Sequence, residues 1–510
     1  MAQAARIGAR VASAAVMPAP VAGWNAYDPI NGMKPEFAVV LDNWFPETTQ
    51  LRLRRGYTGF CTSGMGSGAV ETLIEYQGTN ARFLACANGD IYNITGGTAT
   101  SLGSGFTNNR WEWVNFTTTG GRFVIMVNGD DAPRNYNGTA LATTPAITGP
   151  SNINLLWSVT SFKNQLVFAE KGTLSLWYLG TLNIGGAATE FRLAGVFRRG
   201  GQIVNVSTWS RDNSFGTSDD ILAVATDQGE VALYTGAGMA SIVLTGLFAF
   251  GRPLGRRCFT KFGPELVIIN EDGMFPLSRL MSVDSAQNVE VSISKNIGNA
   301  VTAAARSYFA NTGWQVCIYP RGNMALMNVP ISATASEQYV VNTISGAWCR
   351  FTGMNASCWQ VFNGELYFGA TAGGAVFKAD TGTSDNGANI VAVCQTAFSY
   401  LRDQTRIKRF TMVRPVFATN GALNPKIGVL TDFDVSNIGA PTASFVSTTS
   451  AWDTGRWDIA TWGGSLTIQR NWIGVAAQGY AASIRMAVAS NTLQATVQSF
   501  DLRYEAGGFV

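Results

Sequence analysis

An internal repeat limits what this 510-residue chain can fold into. Six segments share one order, an apolar strand, a glycine-containing turn and a short strand closing on an aromatic: Phe83 to Tyr92, Phe123 to Tyr136, Leu166 to Tyr178, Leu222 to Tyr234, Leu266 to Phe275 and Leu366 to Phe377. The closing aromatics lie 44, 42, 56 and 41 residues apart, and then 102 across a stretch in which Tyr339 marks a candidate further, divergent unit. A period of roughly 40 to 45 residues built from alternating strands and tight hairpins is the pattern of β-propeller blades. The turn residues agree, because Asn88-Gly89, Asn128-Gly129, Asp272-Gly273 and Asn363-Gly364 are dipeptides that tolerate positive φ. The competing reading of the same hairpins is a sandwich without blade symmetry.

The repeat stops after Gly387, which divides the chain into residues 1–60, an amino-terminal arm with platform strands, a propeller over 61–385, and a carboxy-terminal β platform over 386–510. The fold class expected is therefore all-β, a propeller with a sandwich-like platform built from the two terminal regions. Charge follows the same division. The first 60 residues carry six basic and four acidic side chains, residues 61–385 carry 20 and 22, and the rest carry ten and seven. With a net charge of +3 and only 14% charged residues, a generally basic nucleic-acid binder is excluded.

The chain has no histidine. That removes the commonest general base and metal ligand near neutral pH, and with it Ser-His-Asp triads, Cys-His pairs and His-bearing zinc sites. Acid pairs at Asp130/Asp131, Asp219/Asp220 and Glu271/Asp272 read as turn acids, since neighbours on a strand point to opposite faces while glycosidase chemistry needs two carboxylates across a cleft. No enzymatic activity and no cofactor or metal are expected. The seven cysteines, Cys61, Cys86, Cys258, Cys317, Cys349, Cys358 and Cys394, are scattered without a CxxC and read as reduced, buried small residues. The Ala-rich run from Val11 to Met17, after Arg6 and Arg10, is too short for a convincing leader and reads as a flexible arm that orders on a partner. No stretch reaches the ~20 apolar residues of a membrane-spanning helix, so no membrane insertion is expected.

Two basic stretches keep their charges on one side if extended. Arg52 and Arg54 alternate with leucines, and a period of two collects Arg402, Arg406, Lys408 and Arg414. Such rows are candidates for a face toward a DNA channel or a partner, against the plainer reading of a solvated strand face. Trp44 and the cluster Trp452, Trp457 and Trp462 are candidate anchors at a subunit interface.

Three segments resemble the tail nozzle, or tail-hub, proteins of short-tailed bacteriophages. Gly23 to Tyr57 resembles their opening segment, with an NWFP turn before an arginine-rich strand ending in RGY; Ile344 to Gly382 is similar to their GAW.RF and LYFG blade; and Ser499 to Val510 is similar to their last strand with two glycines and an apolar tip. The resemblance implies a virion structural protein, assembled in the host cytoplasm, whose six copies form a tube below the portal. Its partners would be the adaptor, tail fibres or spikes, and the genome, which it retains and then conducts through transient, non-specific contact during ejection. The rival expectation from another class is a propeller-type carbohydrate-binding or carbohydrate-active protein acting in receptor binding.

Overall fold

The computed structural model describes residues 12–212, 218–280, 292–444 and 466–507. Strands dominate, and the chain divides into two compact units: 59–339 with 353–379, and 1–58 with 340–352 and 380–510.

The first unit is a six-bladed β-propeller. In five of the blades the repeated segment supplies the two middle strands, from Arg82–Ala87 with Asp90–Asn93 to Glu365–Ala370 with Val376–Ala379, and in the fifth it supplies the middle strand and the last one. Four-stranded antiparallel blades begin at Val70, Glu112, Leu156 and Ile203; the fifth has three strands, Phe259–Phe262, Glu265–Asn270 and Gly273–Pro276. The sixth takes its outermost strand from Tyr57–Cys61, so segments far apart in sequence complete one blade. The repeated aromatics explain the period physically, because they fill the spaces between blades. Phe83 of the first blade stacks on Phe362 of the sixth with ring centroids 4.7 Å apart, Tyr76 meets Tyr136 edge-on at 5.4 Å, and Phe191 meets Tyr234 at 5.8 Å. Asn88-Gly89 and Asn363-Gly364 hold positive φ at both positions, as primed hairpin turns require. Lys163-Asn164 does the same without a glycine, a turn the dipeptide rule passes over.

Tyr339 does not mark a seventh blade. It lies in Ser336–Asn342, one of three strands with Gln315–Tyr319 and Met324–Pro330 that stand outside the six blades. These strands and the helix Gly298–Tyr308 account for the long 102-residue spacing. The segment 340–352, expected within the propeller, clusters instead with the terminal regions.

The second unit contains two sheets. One orders Trp348–Phe351, Gly23–Trp24, Phe37–Asp42, Ile390–Thr396, Ala482–Ser490 and Lys426–Thr431. The other is built on the 12-residue strand Ala495–Ala506, which pairs antiparallel along its length with Lys408–Thr419. On the far side of Ala495–Ala506 lie Ala12–Pro18 and Leu51–Leu53, the latter followed by Trp44–Pro46; on the far side of Lys408–Thr419 lie Ile473–Gly479 and Thr467–Gln469. Residues 12–18, expected as part of a flexible arm, are thus a seven-residue strand registered from Ala12 opposite Glu505 to Pro18 opposite Ser499. Small side chains allow this, since only Met17 has to be buried.

Candidate functional site

Within the terminal unit, two of the three motif segments meet in a buried polar node. Arg54 is 3% exposed and makes a bidentate ion pair with Asp385 at 2.8 and 2.6 Å. It also donates from Nε to Asn43 Oδ1 at 2.7 Å and from a terminal nitrogen to the Thr352 carbonyl at 2.8 Å. Asn43 adopts a left-handed φ of 59°, which asparagine tolerates, and this turns its side chain to donate to Thr352 Oγ1 and the Val391 carbonyl while it accepts from the Thr352 amide. Beside it Arg350 grips Asp42 at 2.7 and 2.8 Å. The NWFP turn, the arginine strand and the GAWCRF strand are therefore one structural feature. Two motif glycines show the same closeness: a Cβ on Gly23, at φ +88°, would lie 2.5 Å from the Trp348 carbonyl oxygen, and one on Gly56 would lie 1.8 Å from that of Ser384.

These facts correct the channel assignment at several positions. Arg54 faces the interior, because the alternation of Leu51–Leu53 ends before it and the chain turns inward to reach Asp385. Lys408 is 1% exposed, and its ammonium donates to the carbonyls of Asp403, Arg406 and Tyr480, with its pKa lowered by burial. Arg402 and Arg406 belong to a turn, since the strand begins only at Lys408; Arg402 has φ 68° and is exposed, and Arg406 pairs with Asp403 at 3.5 Å. Arg52 is held by Glu47 at 2.8 Å, and Arg414 by Asp501 at 2.6 Å with its guanidinium 4.8 Å from the Trp472 ring. The six basic residues do not form one row. Trp44 is not an interface anchor in this chain either, being fully buried against its own unit. Trp452, Trp457 and Trp462 lie outside the described residues.

In the propeller, Arg256 and Arg257 precede the fifth blade and reach across to the first four. Arg257 pairs with Glu112 at 3.1 Å and donates to Thr72 Oγ1 at 2.8 Å and to the carbonyls of Glu71 and Trp111, tying the first blade to the second. Burial opposes its charge, and Glu112 overrides that, so its pKa sits above the ordinary guanidinium value. Arg256 donates to the carbonyls of Arg110, Asn128 and Trp157, and its own carbonyl accepts from Asn205 of the fourth blade. Burial pushes its pKa down to about 10, with Glu112 and Asp130 offsetting only part. The adjoining cavity of about 200 Å³ is lined by Glu71, Arg110, Phe309 and Trp314 among others. Asp130 and Asp131 sit in the turn after Gly121–Val127 and are engaged by Lys171 and Asn108, and by Thr107 and Asn128. The local signal for Arg256 and Arg257 is a dibasic pair that follows a glycine, between Arg252 and Lys261. Asp385 gave none, since its partner lies 331 positions away.

All seven cysteines are buried and free. Among the described residues no group of His, Cys, Asp or Glu could hold a metal ion, and no helix is long and apolar enough to cross a membrane.

No protein-family model matches the chain, and no curated protein matches it. Solved structures with a likeness include the computationally designed Ika8 protein, at 11% identity and TM-score 0.37, over 63% of this chain and 99% of that one. BBS1N in complex with ARL6DN is another, at 8% identity and TM-score 0.40, over 64% of this chain and 97% of that one. At these scores neither likeness bears on function.

Proposed function

We propose that the chain is a non-enzymatic structural protein of a short-tailed phage virion, a tail nozzle or hub. In this reading six copies form a tube below the portal and adaptor, retain the genome, and conduct DNA at ejection. The observation that carries it is the node: Asn43 and Arg54 of the first motif segment bond to Thr352 of the second, and Arg350 to Asp42, so the resemblance falls on residues that work together. Weak motifs 300 positions apart gain weight when each explains the other. The strand Ala495–Ala506, which begins the third segment at Ser499, runs beside Leu51–Leu53 of the same unit.

A conduit needs only modest positive charge, because each phosphate contact adds a salt-dependent term and a strongly basic wall would hold the genome it must release. Arg402 and Arg406, on an exposed turn, remain candidates for such contact; Arg54 and Lys408 do not. The carbohydrate reading is weaker, since Asp130 and Asp131 spend their oxygens on Lys171, Asn108, Thr107 and Asn128. Electron microscopy of the assembled protein tests the proposal. A six-fold ring of about 326 kDa, six times the 54.4 kDa chain, is expected. A three-fold assembly, or a monomer at the tail of the particle, would overturn it.

A further inference from the structure

The sheet built on Ala495–Ala506 ends on two edges of the same kind. On one side the strand Ala12–Pro18 pairs only inward, with Ala495–Ala506; on the other the strand Ile473–Gly479 pairs only inward, with Lys408–Thr419. Among the described residues no backbone group bonds to the outer side of either strand. Each is seven residues long, and neither carries a charge: their sequences are ASAAVMP and IGVAAQG. Exposure alternates along both, and Val16 is 70% exposed.

Monomeric sheet proteins usually protect such edges with lysine, inward charges or very short strands. Here the charges lie on the two central strands instead. On the exposed face Asp501, Arg503 and Glu505 stand on one and Arg409 and Arg414 on the other, with Arg409 opposite Glu505 and Arg414 paired to Asp501. The neighbouring positions on the edges are Ala12, Ala14 and Val16 on one side and Gly474 and Gln478 on the other. Both edges therefore present backbone groups without a bonded outer strand among the described residues, except at Pro18, which has no N–H. A register shift lies beside Ile473–Gly479, and Lys426–Thr431 packs close to that strand without pairing with it.

We propose that the strand Ala12–Pro18 of one copy pairs antiparallel with the strand Ile473–Gly479 of the next, joining copies of this chain through one continuous sheet. Strand sense selects this occupant. Directions alternate across Ala12–Pro18, Ala495–Ala506, Lys408–Thr419 and Ile473–Gly479, so the two edges run opposite ways and a rotated second copy continues the alternation. Two different edges in contact make a head-to-tail interface, which closes into a ring when the rotation fits. Seven residues of strand extend about 23 Å, and one strand pair of that length is a small junction beside the roughly 1,200–2,000 Å² of a stable interface. Assembly through it is therefore concentration-dependent and is consolidated by ring closure. The inference rests on the homo-oligomeric reading above and supplies its junction.

Cysteine cross-linking tests it on the full chain, because every native thiol is buried. The variant carrying both Ala14→Cys and Ala476→Cys, treated with a short bifunctional maleimide across a protein concentration series, should yield a ladder of multiples of 54.4 kDa. Either single variant should give no ladder, and an equimolar mixture of the two should stop at dimers. Ala14→Lys, at an exposed edge position, should move the assembled protein to monomer while leaving its melting temperature unchanged. Dimers from the Ala14→Cys variant alone would show like edges pairing and overturn the head-to-tail junction. An oligomer that survives Ala14→Lys and yields no ladder would overturn the edge inference and leave the ring standing. A wild-type chain that stays monomeric through the series and on the particle would remove both.

Discussion

Replacing Arg54 by methionine probes the node most directly. The substitution keeps much of the volume and removes five donated hydrogen bonds, two of them to a carboxylate whose side chain is 8% exposed. Taking one partner from a buried ion pair costs about 3–5 kcal/mol, because the remaining charge stays desolvated without compensation. For a unit of roughly 200 residues each kcal/mol moves the midpoint by about 2–4 °C, so the transition of the terminal unit should fall by about 6–20 °C. The double variant Arg54→Met with Asp385→Leu removes the stranded charge as well. What it still lacks are the bonds to Asn43 Oδ1 and to the carbonyls of Arg55 and Thr352, a loss of about 2–3 kcal/mol. Because two units can unfold separately, the readout is urea titration with hydrogen exchange resolved at Phe37–Asp42 and, as an internal control, at Glu365–Ala370. A single variant within about 1 kcal/mol of wild type, or a double variant as damaged as the single, would refute the charge-burial reasoning.

Four further outcomes are expected. Lys408→Glu should abolish folding of the terminal unit, because it sets a carboxylate against three carbonyls, whereas Arg402→Glu on the exposed turn should stay within about 0.5 kcal/mol; circular dichroism melts of the two variants separate them, and in the assembled particle the Arg402→Glu and Arg406→Glu pair should alter DNA retention more at low salt than at high. In the propeller, Arg257→Met should cost more than Arg256→Met, since the first strands Glu112 and the second also removes an under-compensated buried charge; equal urea midpoints would contradict this. Stability should fall as pH rises above about 9. Burial holds the thiol of Cys358 up to about 11 and that of Cys317 to about 12, so the unfolded chain releases those protons first, and each such thiol removes about 1.4 kcal/mol per pH unit until its folded value is reached; urea midpoints under reducing conditions at pH 8, 9 and 10 check it, and a flat profile would refute it.

Legibility in the sequence followed the range of the interaction. Blade hairpins depend on neighbours within about a dozen residues, so the alternation in Phe83 to Tyr92 or Leu366 to Phe377, with its turn dipeptide, was enough to locate them. The basic rows failed for a local reason as well: a period of two holds only where the strand exists, and it begins at Lys408, not at Arg402. Once begun, it assigned Lys408 a face without revealing which face was the interior.

What the chain determined by itself was its class of fold, because strand propensity, turn chemistry and a regular spacing of aromatics all act locally and repeat. Only the tertiary structure decided what each charge does. Arg54 and Arg402 are chemically alike in sequence, yet one is sealed against Asp385 and the other stands on a turn in water. The same folding joined Asn43 to Thr352, brought Arg257 to Glu112, and left Ala12–Pro18 as an open edge. Burial and partnership are properties of segments hundreds of residues apart, and no local pattern carries that information.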